Sequence, residues 1–301
     1  MKFVIGSRGS KLALWQAHWV KGRLESAGHQ IEIRVIKTTG DKLAEVPLTQ
    51  SGTKGLFIKE IEEALLTREV DLAVHSLKDL PTEQPEGLTV ATVPEREDAR
   101  DVLISKGSTV FARLPAGARI GTSSLRRQAQ LRRLRSDLTF VALRGNIDTR
   151  LNKLERGDCE ALVLAAAGVR RLGFESRITS TFSEDEICPA VGQGALAVEI
   201  RLGDSGTLSA VAPLDHPAAH RAVRAERAAL RELGGGCQLP IAAYASGNGG
   251  WLSLLGVVAS PDGSKVIRAS ARGAEGNPEE LGRRVAGDLL KLGARAIIES
   301  M

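Results

Sequence analysis

The stretch KFVIGSRGSKLALWQAHWVKGRLES (residues 2–26) opens as an apolar strand over 2–6 and continues as a helix over 10–26. The helical spacing puts Leu12, Trp15, Trp19 and Val20 on its apolar side. A strand over 31–38, a helix over 57–67 and a strand over 70–75 (VDLAVH) extend the pattern. This β-α-β-α-β order predicts a mainly parallel sheet with helices on both faces. Apolar periodicity then lapses in the charged run PEREDARD (94–101), which reads as a crossover. A second α/β unit follows, with strands over 118–121, 138–143 and 160–166 and helices over 124–135 and 148–156. PAVGQGALAVEIR (189–201) reads as a return strand flanked by glycines, with a break at Ala212-Pro213. From about residue 217 the style changes: a helix over 217–232, strands near 241–246, 251–259 and 265–272, and a helix from 278. That is an α+β pattern of ordinary domain size. The sequence shows no internal repeat and no low-complexity tract.

Composition narrows the function classes. The chain has 301 residues, 43% hydrophobic and 26% charged, a soluble globular balance that excludes a mainly disordered, collagen-like or coiled-coil protein. The longest apolar run, 162–169, is far too short to span a bilayer. Only Phe3-Val4-Ile5 precedes Gly6, so no signal-peptide core is present and a cytoplasmic location is expected. Cys159, Cys188 and Cys237 form no CxxC pair, which fits a reduced compartment. With five His and no HExxH, no dedicated metal site is expected. The net charge of +5 is uneven: residues 100–180 hold 14 Arg and 2 Lys against 7 Asp plus Glu. Guanidiniums pair bidentately with carboxylates and phosphates, so this stretch points to an acidic partner.

Several short constellations carry candidate chemistry. GTSSLRR (121–127) lies between a strand and a helix, where free N–H groups, hydroxyls and two arginines make an anion cradle. LRGNIDTR (143–150) repeats the arrangement with Arg144 and Arg150, and Arg8 precedes a helix that Ser10 can cap. Cations at helix starts oppose the helix dipole, and such departures from local preference mark function; a solvated basic face is the plainer alternative. HSLKDLP (75–81) lies at a strand's carboxyl end, where open α/β sheets bind ligands. Asp79 there either serves a cationic reaction centre or caps a turn before Pro81. Cys237 follows three glycines and is either a nucleophile or attachment point, or a small buried residue. Cys159 and Cys188 lack such a setting and read as structural. TTGDKLAEVPLTQSGTKG (38–55) reads as a long loop that is either a lid or disordered, with Lys54 at its end. Gly192-Gln193-Gly194 reads as a flexible connection between the two α/β units.

Together these stretches resemble the porphobilinogen deaminase (hydroxymethylbilane synthase) family. The matching segments are SRGSKLALWQA (7–17), KGLFIKE (54–60), DLAVHSLKDLP (71–81), EREDARD (95–101), GTSSLRRQ (121–128), LRGNIDTRL (143–151), AAAGVRRLG (165–173), PAVGQGAL (189–196) and GGGCQLPI (234–241). They occur in the family's order and cover essentially the whole chain. Where some members have a lysine four residues before the one matching Lys54, this chain has Gln50; Thr53 likewise departs from a Gly-Gly-Lys-Gly pattern.

The resemblance implies an α/β fold of two periplasmic-binding-protein-like lobes, residues 1–97 with 195–213 and residues 98–194, plus a smaller α+β domain over 214–301. It implies a monomer whose small-molecule substrate is porphobilinogen. Four such molecules join head to tail, with release of ammonia, into the linear tetrapyrrole hydroxymethylbilane. The reaction is primed on a dipyrromethane cofactor tethered by a thioether to Cys237. By the same resemblance Asp79 is catalytic, steadying the positive charge that develops on deamination beside a pyrrole N–H. Ser76, Lys78, Thr122, Ser124, Arg126 and Arg127 hold the cofactor. Arg8, Ser10, Lys54, Arg144, Arg150, Arg171 and Gln193 serve substrate binding, Lys54 in the lid with Phe57 and Gln193 at the hinge. A chain grown to six rings bears twelve carboxylates, a load that suits the arginine-rich stretch. An anion-binding module is the competing reading. Nucleic-acid binding is a third, disfavoured by 3% aromatic residues and the lack of a recognition motif.

Overall fold

A computed structural model describes residues 1–42, 58–235 and 239–300 of the chain. In chain order β1 (Lys2–Ser7), α1 (Lys11–Ser26), β2 (Gln30–Val35), α2 (Thr39–Lys42), α3 (Lys59–Leu66), β3 (Leu72–Ser76) and β4 (Leu88–Thr92) come first. Next are β5 (Asp101–Ser105), β6 (Arg119–Gly121), α4 (Leu125–Leu134), β7 (Thr139–Val141), α5 (Ile147–Arg156), β8 (Ala161–Ala165), α6 (Ala166–Arg171) and β9 (Ser180–Thr181). Then follow β10 (Leu196–Arg201), α7 (Ser205–Val211) and α8 (Pro217–Glu232). β11 (Ile241–Asn248), β12 (Trp251–Ala259), β13 (Val266–Ala274), α9 (Pro278–Lys291) and α10 (Ala294–Glu299) complete the chain. Contacts divide it into two compact units, Met1–Glu97 with Ala195–His220, and Asp98–Gly194 with Arg221–Met301.

The first unit is a five-stranded sheet in the order β2-β1-β3-β10-β4. β1 pairs in parallel with β2 and β3, whereas β10 runs antiparallel to β3 and β4. Helix α1 covers one face. Ser10 caps it by accepting the Ala13 N–H at 3.3 Å. Its buried stripe is Ala13, Gln16, Ala17, Val20 and Leu24, so of the expected Leu12, Trp15, Trp19 and Val20 only Val20 lies in it. Small alanines let the helix approach the sheet, and Trp19 packs half-buried against the edge of that core. Trp15 is exposed, and Trp19 lies under the Arg23 guanidinium. Val20 and Leu24 pack on Phe3, Ile5, Leu72 and Val74, each contributing about 1.5–3 kcal/mol by leaving water. Ile61, Ala64 and Leu65 of α3 cover the other face with Val70, Ala73 and Leu88.

The second unit repeats this plan in the order β7-β6-β8-β5-β9. β6 is parallel to β7 and β8; β5 is antiparallel to β8 and β9. β5 thus holds the place that β10 holds in the first sheet. Each is the first strand after the chain changes unit. The expected parallel arrangement holds for the strands that carried it, and in each sheet a single strand, β10 or β5, runs against the other four. Parallel neighbours need a covering crossover within the unit, and a strand that arrives from elsewhere is free of that constraint. Side chains alternate across the sheet: Val102, Ile104, Leu162 and Leu164 point to one core, Leu103, Ala161 and Val163 to the other.

Within the same unit β11, β12 and β13 form an antiparallel meander. Its core joins Leu252, Leu254 and Val258 to Leu281, Val285 and Leu289 of α9 and to Ala225 and Ala229 of α8. The fold is therefore mixed α/β, with two like-built lobes and a small three-stranded C-terminal domain. Cys188 packs with Ala242 and Val257, and Arg132 of α4 donates to the Pro261 carbonyl at 2.5 Å, so the meander is fastened to the lobe that carries α4.

Candidate anion-binding site

In the first unit β1 and β3 lie side by side and parallel, so Arg8–Ser10 and Ser76–Asp79 leave the sheet at the same edge. Gln16 of α1 donates its side-chain amide to Ser76 Oγ at 2.8 Å, pinning the helix to the end of β3. Residues Leu77–Asp79 make one 3-10 turn. It is held by Leu77 N–H to the Ala195 carbonyl at 3.0 Å and by Leu80 N–H to the Leu77 carbonyl at 3.1 Å. Backbone closes this turn, and the Asp79 carboxylate stays exposed at the surface. Arg8, Ser10, Ser76 and Lys78 are half-buried. Behind the turn His75 Nε2 lies 3.1 Å from Glu199 Oε2, both side chains buried. Burial and the nearby Glu199 charge push Glu62 up to about 7, against an opposing effect of His75.

The second unit assembles the arginines. Ser124 caps α4 by accepting the Arg127 N–H at 3.4 Å, and Thr122 Oγ1 accepts the Ser124 N–H at 3.2 Å. The next two side chains turn into the lobe and are almost fully buried. Arg126 Nη1 donates to Asp101 Oδ2 at 2.7 Å and to the Cys188 carbonyl at 2.7 Å. Arg127 donates to Asp101 Oδ1 through Nε at 3.0 Å and Nη2 at 2.7 Å, and to the Val163 carbonyl at 3.0 Å. The cation at the helix start is thereby explained: its counter-ion comes from β5, not from the helix. Burial works to raise the Asp101 pKa, and the two guanidiniums overcome it and hold the carboxyl far below the usual range. Gln193 Nε2 joins them, donating to Asp101 Oδ1 at 3.0 Å and to the Ala99 carbonyl at 2.6 Å. Two guanidiniums on one carboxylate leave the group with a net positive charge.

Arg150 sits near enough to feel that charge. Burial and the like charge of Arg127 push it down to about 10. Its Nε donates to the Gly145 carbonyl at 2.9 Å. Arg144 is half-buried, and its carbonyl accepts from Lys153 Nζ at 3.2 Å. Arg171 donates to the Gly194 carbonyl at 2.8 Å. The structure thus brings Thr122, Ser124, Arg126, Arg127, Arg150 and Gln193 around Asp101 and the start of α4.

Lys54, its neighbours Gln50, Thr53 and Phe57, and Cys237 lie outside the described residues. The glycine run before Cys237 does have a local reason at Gly235. A Cβ there would come within 2.7 Å of Leu230 Cδ1 and 2.6 Å of Ile241 Cδ1. That close approach is to side chains of its own domain. Burial pushes the Cys159 thiol up to about 11 and the Cys188 thiol up to about 12, so neither is a ready nucleophile.

The sequence reading missed three members of these sites. Asp101 closes the charged run that reads as a crossover but heads the apolar run DVLIS, and a lone carboxylate opening a buried strand is the signal that identifies it. Glu62 and Glu199 stand among helical and strand apolar residues with nothing local to mark them.

Residues 3–209 match the family model of the porphobilinogen deaminase dipyromethane cofactor binding domain, and residues 220–291 match that of the porphobilinogen deaminase C-terminal domain. This chain belongs to the porphobilinogen deaminase family. Porphobilinogen deaminase of Pelobacter propionicus is 50% identical over 299 residues, covering 99% of this chain and 96% of that protein. Those of Trichlorobacter lovleyi (51%, covering 99% and 96%) and Geobacter sulfurreducens (51%, covering 98% and 93%) are similarly close. Membership makes the chain a transferase of tetrapyrrole biosynthesis, a deaminase that condenses porphobilinogen into hydroxymethylbilane and carries a dipyrromethane-binding domain. Among solved structures, the methionine-binding protein MetQ matches 73% of this chain and 90% of its own, at 10% identity and a TM-score of 0.47. Lipoprotein Tp32 of Treponema pallidum matches 71% and 90%, at 12% identity and a TM-score of 0.44.

The residues present fit the family's cofactor. A dipyrromethane bears four carboxylates and two pyrrole N–H groups, so it requires guanidinium donors in excess of internal acids, with hydroxyls beside them. Arg126 engages the protein through Nη1 alone among the described residues, leaving Nε and Nη2 for an anion. Burial first, and the like charge of Arg127 second, lower the Arg150 pKa, and an anion placed there would relieve both. Among the described residues no helix is long and apolar enough to cross a membrane, and no group of three or more His, Cys, Asp or Glu is arranged to hold a metal.

Proposed function

We propose that Asp79 is the catalytic carboxylate of this porphobilinogen deaminase and that Cys237 is the point of thioether attachment. In each round a C–C bond forms between the free pyrrole α-carbon of the growing chain and the aminomethyl carbon of a new porphobilinogen. The C–N bond to that carbon breaks, ammonia leaves, and the α-proton is lost. The bound dipyrromethane supplies the first such nucleophilic carbon. Loss of ammonia makes the incoming ring electron-poor. An exposed carboxylate on a backbone-closed turn suits it, because Asp79 can accept the pyrrole N–H and stabilise the cation without first breaking a hydrogen bond to the described residues. At about 4 Å such a pair is worth on the order of 4 kcal/mol near a protein surface.

Ser76, Lys78, Thr122, Ser124, Arg126 and Arg127 hold the cofactor's carboxylates. Arg8, Ser10, Lys54, Arg144, Arg150 and Arg171 take those of the substrate, and Gln193 steadies the connection between units. Guanidiniums outlast any change of pH in the working range, so the site stays cationic while each condensation adds two carboxylates. The chain acts as a monomer in the cytoplasm.

The observation that carries this reading is the arginine group around Asp101, whose charge exceeds its counter-ion. Intact-mass measurement tests it. The purified protein should be heavier than its polypeptide by two pyrrole units, lost in Cys237→Ala, and porphobilinogen should add successive pyrrole increments. A bare polypeptide mass together with no consumption of porphobilinogen overturns it.

A further inference from the structure

We infer that Asp101 is a positioning residue for the reaction, aiming Arg126 at the anionic chain through a buried carboxylate that it shares with Arg127. The inference rests on the reading of Arg126 as a cofactor ligand.

Asp101 is fully buried, and both of its oxygens are used. Oδ2 takes Arg126, whereas Oδ1 takes two bonds from Arg127 and one from Gln193. One carboxylate therefore fixes two consecutive side chains of α4's first turn, which would otherwise repel each other. It does so without using up Arg126, whose Nε and Nη2 find no partner among the described residues. A second set of bonds holds the frame. Gln130 Nε2 donates to the Cys188 carbonyl at 3.2 Å, and the Cys188 N–H donates to Gln130 Oε1 at 2.8 Å, so the carbonyl that braces Arg126 is itself held in place. Position in the chain adds meaning. Asp101 lies three residues after the chain enters this unit and Gln193 one residue before it leaves, so the same carboxylate ties both passages to the arginines.

Charge and aim predict opposite outcomes, which makes the inference testable. Asp101→Asn keeps the shape and adds one positive charge to the site. If Asp101 only diluted the field, KM for porphobilinogen would fall; if it aims the guanidiniums, KM rises in spite of the added charge. The holoenzyme variant should show KM raised at least tenfold with kcat changed less than threefold. A fallen or unchanged KM, whatever the melting temperature, overturns the inference. Asp101→Ala assayed in formate against chloride at equal ionic strength gives a second measurement: formate alone should restore KM. Failure of both variants to fold, even in formate, also overturns it, since the premise is that a carboxylate at this place suffices. Arg126→Gln separates the two readings. An unchanged KM and cofactor load there removes the arginines from the site, whereas a raised KM there with a normal one in Asp101→Asn removes only Asp101.

Discussion

His75 and Glu199 meet at 3.1 Å across the β3–β10 pair, both buried, and each stands beside functional backbone. His75 precedes Ser76 and the Asp79 turn, and Glu199 sits where β10 shifts register against β4. Glu62 of α3 adds a second carboxyl whose Oε1 is buried and has no partner among the described residues, as is Glu199 Oε1. Burial and the Glu199 charge make Glu62 the pH-sensitive group close behind the site.

That arrangement sets a pH dependence of stability. The folded chain raises the Glu62 pKa from 4.5 to about 7, so folding favours the protonated form. The stability this represents is fully present below about pH 4.5 and is lost as pH rises through about 7. Glu62→Gln should therefore raise the thermal midpoint at pH 8 and leave it unchanged near pH 4.5. With Glu62 half-buried and partly screened, the gain is about 1 kcal/mol. Melting curves of both proteins across pH 4–9 check it; an equal shift at every pH contradicts it.

Asp79→Asn should leave the fold within about 0.5 kcal/mol, because the side chain is exposed and its turn is closed by backbone. Turnover should drop about 10²–10⁴-fold while the cofactor still attaches. Steady-state rates and intact mass on the same preparation decide it, and near-normal turnover removes Asp79 from its role.

Arg127→Leu should cost both stability and function. It strips two hydrogen bonds from a buried carboxylate, a loss of about 3–5 kcal/mol, and should lower the fraction of protein carrying the dipyrromethane mass. Denaturant unfolding and intact mass measure the two effects. An unaltered midpoint would mean that Arg126 alone satisfies Asp101.

Gly235→Ala should press a methyl group against Leu230 and Ile241 and destabilise the C-terminal domain by about 1–3 kcal/mol. Because Cys237 is two residues away, cofactor loading from porphobilinogen should also slow. Time-resolved mass spectra of the apoprotein follow that rate; wild-type loading kinetics would separate Gly235 from the attachment step.

Much of the lobes was legible because their strands are short apolar runs and their helices keep the 3.6-residue period. β1, β3, α4, α5 and β8 emerge close to their predicted bounds. β5 escaped notice because its first residue is a carboxylate, and what makes that residue tolerable inside a sheet lies 25 residues away on α4. Local pattern carries no trace of so distant a partner. The buried side of α1 was legible only in part, at Val20 and Trp19, for a related reason. Hydrophobicity favours tryptophan over alanine, whereas close packing on the sheet favours the smaller residue. In the site, the arginines stood out by opposing the helix dipole; that both are directed inward onto Asp101 depends on tertiary structure alone.

The two sheets finish in the reverse of the order in which they begin. The second needs nothing beyond Thr181 to have all five strands, whereas the first lacks β10, the strand between β3 and β4, until Arg201 is made. As the nascent polypeptide leaves the ribosome, the amino-terminal half must therefore wait, with a gap in its middle, while the later half closes. A fragment ending before residue 196 would contain a finished carboxyl-side sheet and an unfinishable amino-side one.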